Sequence, residues 1–180
     1  MDYNKLLGRD PISTDLNTIQ DYIKGKRILV TGGAGSIGSE IVRQLVNFGA
    51  STVTVFDNAE ASMFHLEQEI TRYNPNSHIK YVIGDVRDKY RLEEVFDSFK
   101  PNIVFHAAAY KHVPMMESNP IEAIKTNVLG TMNVSNISYM NEVEKFIMVS
   151  TDKAVNPTNI MGATKRIAEL YTQFLETKSA

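Results

Sequence analysis

The sequence predicts an open α/β domain on a doubly wound parallel sheet of five strands in the order 3-2-1-4-5. Three observations carry this. Five short apolar runs alternate with stretches of helical periodicity, the pattern of parallel strands joined by crossover helices. Residues 28–38, Ile-Leu-Val-Thr-Gly-Gly-Ala-Gly-Ser-Ile-Gly, take an apolar run into a glycine-rich turn that opens a helix. Finally, Asp57, Asp85, Ala107 and Thr151 all fall at the carboxyl ends of the predicted strands, where ligands bind in such sheets.

Composition narrows the class. The chain of 180 residues is long enough for one domain with its own core. Its 43% hydrophobic and 22% charged residues are ordinary for a globular protein. A net charge of -2 gives no reason to expect a nucleic acid or an anionic membrane as partner. The absence of cysteine excludes disulfides, thiolate metal sites and thiol nucleophiles, and suits a reducing compartment. No run of roughly 18 apolar residues occurs, and polar residues 1–10 do not read as a signal peptide.

Residues 1–26 read as a leader with a short helix. Pro11 breaks the chain, Ser13 or Thr14 is placed to cap, Leu16, Ile19 and Ile23 share one face, and Gly25 ends the helix. The domain proper is 27–180. In its glycine turn, Gly32 allows the tight exit from the strand, Gly35 lets the backbone approach a pyrophosphate, and Gly38 lets the helix pack closely. The helix start at Ser36 and Ile37 offers free N–H groups and a positive dipole end to phosphates. Ile37, Ile41, Leu45 and Phe48 are expected to form this helix's buried face, and Gly49 ends it.

Residues 52–56 form the second strand, which stops at Asp57, 19 residues beyond Gly38, with Asn58 next. That spacing suits a carboxylate on the adenosine ribose hydroxyls. It repels a 2′-phosphate, and no arginine follows immediately, so NAD is favoured over NADP. A helix over 60–73 stops before Pro75, and the third strand, 79–83, runs into Gly84, Asp85 and Val86. Asp85 and Val86 can bracket an adenine ring; Asp85 equally suits a cap for the helix over 89–99. The fourth strand, 103–105, leads to His106 and to Ala107, Ala108 and Ala109, against which a flat cofactor can lie. Lys111 and His112 follow, placed where a polyanionic substrate could enter, though such residues are more often ordinary surface-loop residues. His65, His78 and His106 have no second ligand at metal spacing, so no metal site is expected. One long helix over 120–139 holds Gly130 and, mid-helix, Asn127. Asparagine is a poor interior residue, so its side chain is expected to serve a neighbouring loop, a water or the substrate side. The fifth strand, 146–149, ends in Ser150, Thr151, Asp152 and Lys153. The last helix starts near Asn159 and carries Met161 and Lys165 one turn apart.

With these motifs placed, the chain resembles the extended short-chain dehydrogenase/reductases, and within them the CapD-like polysaccharide-biosynthesis family of nucleotide-sugar 4,6-dehydratases. The resemblance is carried by residues 31–38, 84–88, 106–114 and 150–165, together with the leader stretch 6–12. It implies a Rossmann-type fold, NAD as cofactor, and a UDP-sugar, UDP-N-acetylglucosamine above all, as substrate. The implied reaction is internal: hydride leaves C4 for NAD, a base takes the C5 proton, an acid protonates the departing 6-hydroxyl, and hydride returns to C6. By the same resemblance Asp152 is the acid, Lys153 the C5 base, Thr151 a hydrogen-bond partner of the 4-oxygen, and Lys165 the holder of the nicotinamide ribose. Met161 stands where most of the superfamily has a proton-accepting tyrosine, so Asp152 also inherits the 4-hydroxyl proton. Aspartate beside lysine normally stays charged, whereas these roles need a neutral pair, which desolvation in a closed site favours. Family members carry a further substrate lobe, so this sequence is expected to be the cofactor half. It is further expected to be a homo-oligomer in the cytoplasm, at the cytosolic face of the inner membrane where a longer form is anchored. The competing readings are a nucleotide-sugar 4-epimerase or reductase, which Met161 opposes, and a non-catalytic dinucleotide-binding module, which the Thr151-Asp152-Lys153 run and Lys165 oppose.

Overall fold

The computed structural model describes residues 15–179. In chain order its elements are α1 (Leu16–Ile23), β1 (Arg27–Thr31), α2 (Ser36–Asn47), β2 (Thr52–Asp57), α3 (Glu60–Tyr73), β3 (Ile79–Ile83), α4 (Lys89–Phe99) and β4 (Ile103–His106). There follow α5 (Val113–Ser118), α6 (Pro120–Ala123), a π-helical turn (Ile124–Gly130), α7 (Thr131–Met140), β5 (Lys145–Met148), a 3-10 turn (Asp152–Ala154) and α8 (Ile160–Ser179). The five strands form one parallel sheet in the order β3-β2-β1-β4-β5, as the sequence predicts.

Both faces of the sheet are covered, which is why its strands are apolar on both sides. Ile28 and Val30 of β1, with Val53 and Val55 of β2, pack under Val42 and Leu45 of α2 and Met63, Leu66 and Ile70 of α3. Leu29, Phe56 and Val104 point the other way, onto Leu92, Val95 and Phe96 of α4 and Val134 and Ile137 of α7. Winding reverses between β1 and β4. Thr31, at the end of β1, is flanked by Phe56 on β2 and His106 on β4. The crevice at that reversal is where an open α/β sheet takes its ligand.

Four details depart from the sequence-based expectation. The cap of α1 is Asp15, whose carboxylate accepts from the N–H groups of Asn17 and Thr18 at 3.1 and 3.2 Å; Pro11, Ser13 and Thr14 lie outside the described residues. Of the predicted α1 face, only Ile23 is buried. Ile37 is 55% exposed and does not belong to the buried face of α2, which consists of Gly38, Val42 and Leu45 with Ile41 and Phe48 at its margins. Its side chain sits one position off that stripe. The long helix over 120–139 is three pieces, with seven residues in π geometry at its centre.

Candidate active site

The glycine turn is fixed by contacts that exclude a side chain. Gly32 has φ +68°, and a Cβ there would lie 2.4 Å from the Ala108 nitrogen. The β1 and β4 loops therefore touch backbone to backbone. A Cβ on Gly38 would lie 2.1 Å from the Gly32 carbonyl oxygen, so α2 starts directly against the turn. No side chain caps α2, which leaves its first N–H groups facing outward. A cavity of about 200 Å³ opens beside this turn, lined by Gly32, Ala34 and Gly35, by residues 56–59, by 84–86, by 107–110 and by Thr126. The predicted Asp57, Asn58, Asp85, Val86, Ala107, Ala108 and Ala109 all lie on its wall.

The carboxylates of the cavity have structural duties of their own. Asp57 accepts from Ala34 N–H at 3.0 Å and from Ala59 N–H at 2.9 Å, tying the glycine turn to the start of α3. Asp85 accepts from Asn58 and from the backbone and guanidinium of Arg87. Burial alone would raise its pKa, but the hydrogen bonds from Arg87 outweigh this and hold it below the ordinary value. Arg87 continues the chain to Glu122, which also binds Lys125. The cap of α4 is Asp88, not Asp85.

Behind the cavity runs a buried polar relay. His106 is fully buried between Thr31 and Thr131, with Nδ1 2.6 Å from the Thr31 oxygen and Nε2 2.9 Å from the Thr131 oxygen. The Thr131 hydroxyl donates to the Asn127 carbonyl at 2.7 Å. Its proton is thus engaged, which assigns the imidazole proton to Nε2 and leaves Nδ1 to accept from Thr31. Burial, then the charge of Lys165, pushes the His106 pKa down to about 3, so the ring is neutral. The Asn127 amide is 0% exposed. Its oxygen accepts from Tyr110 N–H at 2.8 Å, and its nitrogen donates to the Tyr110 carbonyl and the Thr164 hydroxyl, both at 3.0 Å. Asn127 is therefore corrected from a substrate-side candidate to a clamp on the β4 loop, because its side chain is buried out of a substrate's reach with both its oxygen and its nitrogen engaged.

At the end of β5 the arrangement is open. The Thr151 hydroxyl donates to Asp152 at 2.9 Å and the Lys153 ammonium meets the same oxygen at 3.1 Å. The Asp152 side chain is 85% exposed. Hydrogen bonds from Lys153 and Thr151 keep its pKa below the ordinary carboxylate value, so it is ionised here. What fixes the turn is Gly162, where a Cβ would lie 2.2 Å from the Lys153 carbonyl oxygen. Lys165 is 5% exposed and donates to the Val149 carbonyl at 2.6 Å. Burial lowers its pKa to about 8, against the pull of Glu169, leaving it mostly charged at neutral pH. Met161 is buried in a small apolar cluster with Met116 and Ala123. Lys111 reaches back to the Ser36 hydroxyl at 2.7 Å, at the start of α2, while His112 is exposed at the start of α5.

The structure thus brings the glycine turn, Asp57, Asp85 and the alanine loop around one crevice, with Lys111 at the start of α2, and sets Thr151, Asp152 and Lys153 on a separate turn at the next strand end. A larger hollow of about 920 Å³ lies along the edge of β5, between α7 and the far part of α8. It contains none of the predicted site residues, and the smaller cavity is the better candidate because the polar groups converge there. Among the described residues no cluster of three His, Cys, Asp or Glu side chains could hold a metal, and no helix is long and apolar enough to cross a membrane. Sequence reasoning missed Gly162 and Thr126. The adjacent Thr126 and Asn127, two poor helix formers in mid-helix, were the available signal for the second.

Residues 28–180 match the family model described as polysaccharide biosynthesis protein. The capsular polysaccharide biosynthesis protein CapD of Staphylococcus aureus is 51% identical over 171 residues, 94% of this chain and 28% of that protein. A UDP-N-acetylglucosamine 4,6-dehydratase (inverting) of Campylobacter jejuni is 44% identical over 142 residues, 78% of this chain and 41% of that enzyme. The chain therefore spans well under half the length of these relatives. The structure of Thermus thermophilus UDP-glucose 4-epimerase in complex with NAD superposes with a TM-score of 0.73 at 30% identity, over 84% of this chain and 51% of that one.

Proposed function

The chain belongs to the polysaccharide biosynthesis protein family, and from that premise we propose that it is the NAD-binding part of an enzyme that dehydrates a UDP-sugar, UDP-N-acetylglucosamine in particular, to a 4-keto-6-deoxy sugar. The residues present fit the cofactor. The glycine turn leaves N–H groups free for a pyrophosphate, Asp57 lies where ribose hydroxyls are bound and a 2′-phosphate is repelled, and the alanine loop offers a flat wall. When bound, NAD supplies a hydride acceptor and donor.

One observation favours dehydration over the simpler redox chemistries. Met161, at the position of the usual tyrosine, is 2% exposed inside an apolar cluster and can neither reach nor exchange a substrate proton. Proton handling then falls to the exposed Thr151-Asp152-Lys153 turn. In this reading Thr151 hydrogen-bonds the 4-oxygen, Asp152 takes the 4-hydroxyl proton when C4 is oxidised and passes it to the departing 6-hydroxyl, and Lys153 takes the C5 proton and returns a proton there when C6 is reduced. Lys165, held on Val149, contributes a positive charge beside the ribose. Sugar seated over the turn excludes water and favours the neutral Asp152–Lys153 pair that the roles require.

The epimerase reading is favoured by the fit to a 4-epimerase. The two part on the product. In a chimera carrying this chain in place of the matched segment of the C. jejuni enzyme, NAD-loaded protein in deuterium oxide is expected to yield a 6-deoxy-4-keto sugar with deuterium at C5, read by NMR. A product that keeps its 6-hydroxyl with C4 inverted would assign the chain to epimerisation.

A further inference from the structure

We propose that Glu169 is a positioning residue for the acid–base turn: its carboxylate holds Ser150, and through Ser150 the run Thr151-Asp152-Lys153, against α8. This rests on the dehydration reading of that turn given above.

Spacing along α8 puts Glu169 in place for this. Gly162, Lys165 and Glu169 stand three and four residues apart, so they share one face of the helix. Each meets a different point of the chain leaving β5. Gly162 leaves room for the Lys153 carbonyl oxygen, Lys165 donates to the Val149 carbonyl at 2.6 Å, and Glu169 accepts from the Ser150 hydroxyl at 2.5 Å. The helix thus grips the run at both ends, through residues 149 and 150 before it and through Lys153 at its close.

The sheet does not supply that grip. β5 pairs with β4, and the bond from Val149 N–H to the His106 carbonyl, at 2.9 Å, lies just past the paired residues. Beyond Val149 the chain closes on itself. The Thr151 and Lys153 side chains bond Asp152, and the N–H groups of Ala154 and Val155 donate to the carbonyls of Thr151 and Asp152 at 3.1 and 3.0 Å. Such bonds fix the shape of a turn but not its place. Glu169 is suited to fix the place because it is itself held. Its side chain is 21% exposed, and its second oxygen accepts from Arg166 at 3.0 Å. The hydrogen bond from Ser150, helped by Arg166 and Lys165, outweighs burial and keeps its pKa below the ordinary carboxylate value, so Ser150 donates to an ion. Misplacing a reacting group by about 1 Å can cost about a hundredfold in rate, so a modest contact here has leverage on the chemistry.

The test reads rate and local opening separately. In the NAD-loaded chimera, Glu169→Ala is expected to lower kcat for dehydration about 10- to 100-fold, with KM for the UDP-sugar and NAD⁺ affinity within about threefold of the unmutated chimera. Glu169→Gln keeps an acceptor for Ser150 and is expected to recover kcat to within about fivefold. Ser150→Ala is expected to match Glu169→Ala, and the double variant to be no slower than either, because the two residues form one contact. Unmutated kcat in Glu169→Ala would overturn the proposal, and so would additive losses in the double variant. A Gln variant as slow as the Ala variant would overturn it too, by making the charge beside Lys165 the thing that matters. In this chain itself, amide exchange followed by NMR is expected to be about tenfold faster at Ala154 and Val155 in Glu169→Ala and unchanged in β1. Unaltered exchange at those two amides would overturn the positioning role whatever the kinetics. An unmutated chimera that epimerises would sink the dehydration reading alone, and the exchange measurement would still decide whether Glu169 holds the turn.

Discussion

The crevice beside β1 and the turn after β5 are two halves of one proposed site, built on opposite terms. In the crevice the loops interlock through their backbones at Gly32 and Ala108, and Asp57 is committed to two N–H groups. Behind it, His106 and Asn127 are buried with every polar atom engaged. At the turn, Asp152 and Lys153 face water and hold only each other and Thr151. The difference teaches that binding and chemistry are prepared separately. The cradle is tied together by its own contacts, while under the proposed function the acid and base acquire their working protonation only once something covers them.

The contrast is broken most violently from the cradle side. Gly32→Ala puts a methyl into the Ala108 backbone at a positive φ, and is expected to lose about 3–5 kcal/mol and all NAD⁺ binding, measured by urea denaturation and calorimetry. A variant with a wild-type midpoint would show that the two loops are loosely joined. Acid sharpens the comparison next. The pKa of His106 in the folded protein, about 3, lies below the ordinary 6.5. Between those values the unfolded chain binds a proton that the folded chain refuses. Stability from this residue is therefore full above pH 6.5 and falls as the pH drops below it, by about 2 kcal/mol at pH 5. Urea midpoints at pH 7.5 and 5.0 measure the slope. His106→Asn is expected to be less stable at pH 7.5 but to lose that part of the slope, and an unaltered slope would place the acid-sensitive group elsewhere. The smallest stability effect is expected at the turn. Asp152→Asn should leave both the urea midpoint and NAD⁺ affinity unchanged, while dehydration by the chimera falls about 10²- to 10⁴-fold. A large fall in stability would show that the turn, too, belongs to the rigid frame.

Much of this frame is legible in the residues. Alternating strand and helix patterns, with glycines at 32, 35 and 38, are enough for the sheet order and the crevice, because parallel crossovers leave few topologies. The spacing from Gly38 places Asp57 on the cavity wall. What does not show is how side chains are shared between elements. Asp57 carries the glycine turn as well as facing the cavity, and Asn127 closes on Tyr110, 17 residues earlier in the chain. Ile37 has the right residue type for a buried face and the wrong phase by one position. The π turn escapes helical periodicity altogether, since a stretch with one added residue per turn still reads as apolar and continuous.

That turn is also a record of how such a chain tolerates change in length. A π turn is what remains when one residue is added to an α-helix without undoing the helix on either side. Removing one residue from 124–130 would regularise the helix and rotate everything beyond it by about 100° relative to everything before it. Thr131 would swing away from His106 while Thr126 stayed with the cavity wall, or the reverse. The helix would gain regular hydrogen bonds as the relay and the cradle parted company. A single-codon deletion here, neutral by any measure of helix propensity, is thus among the least acceptable edits the gene could suffer.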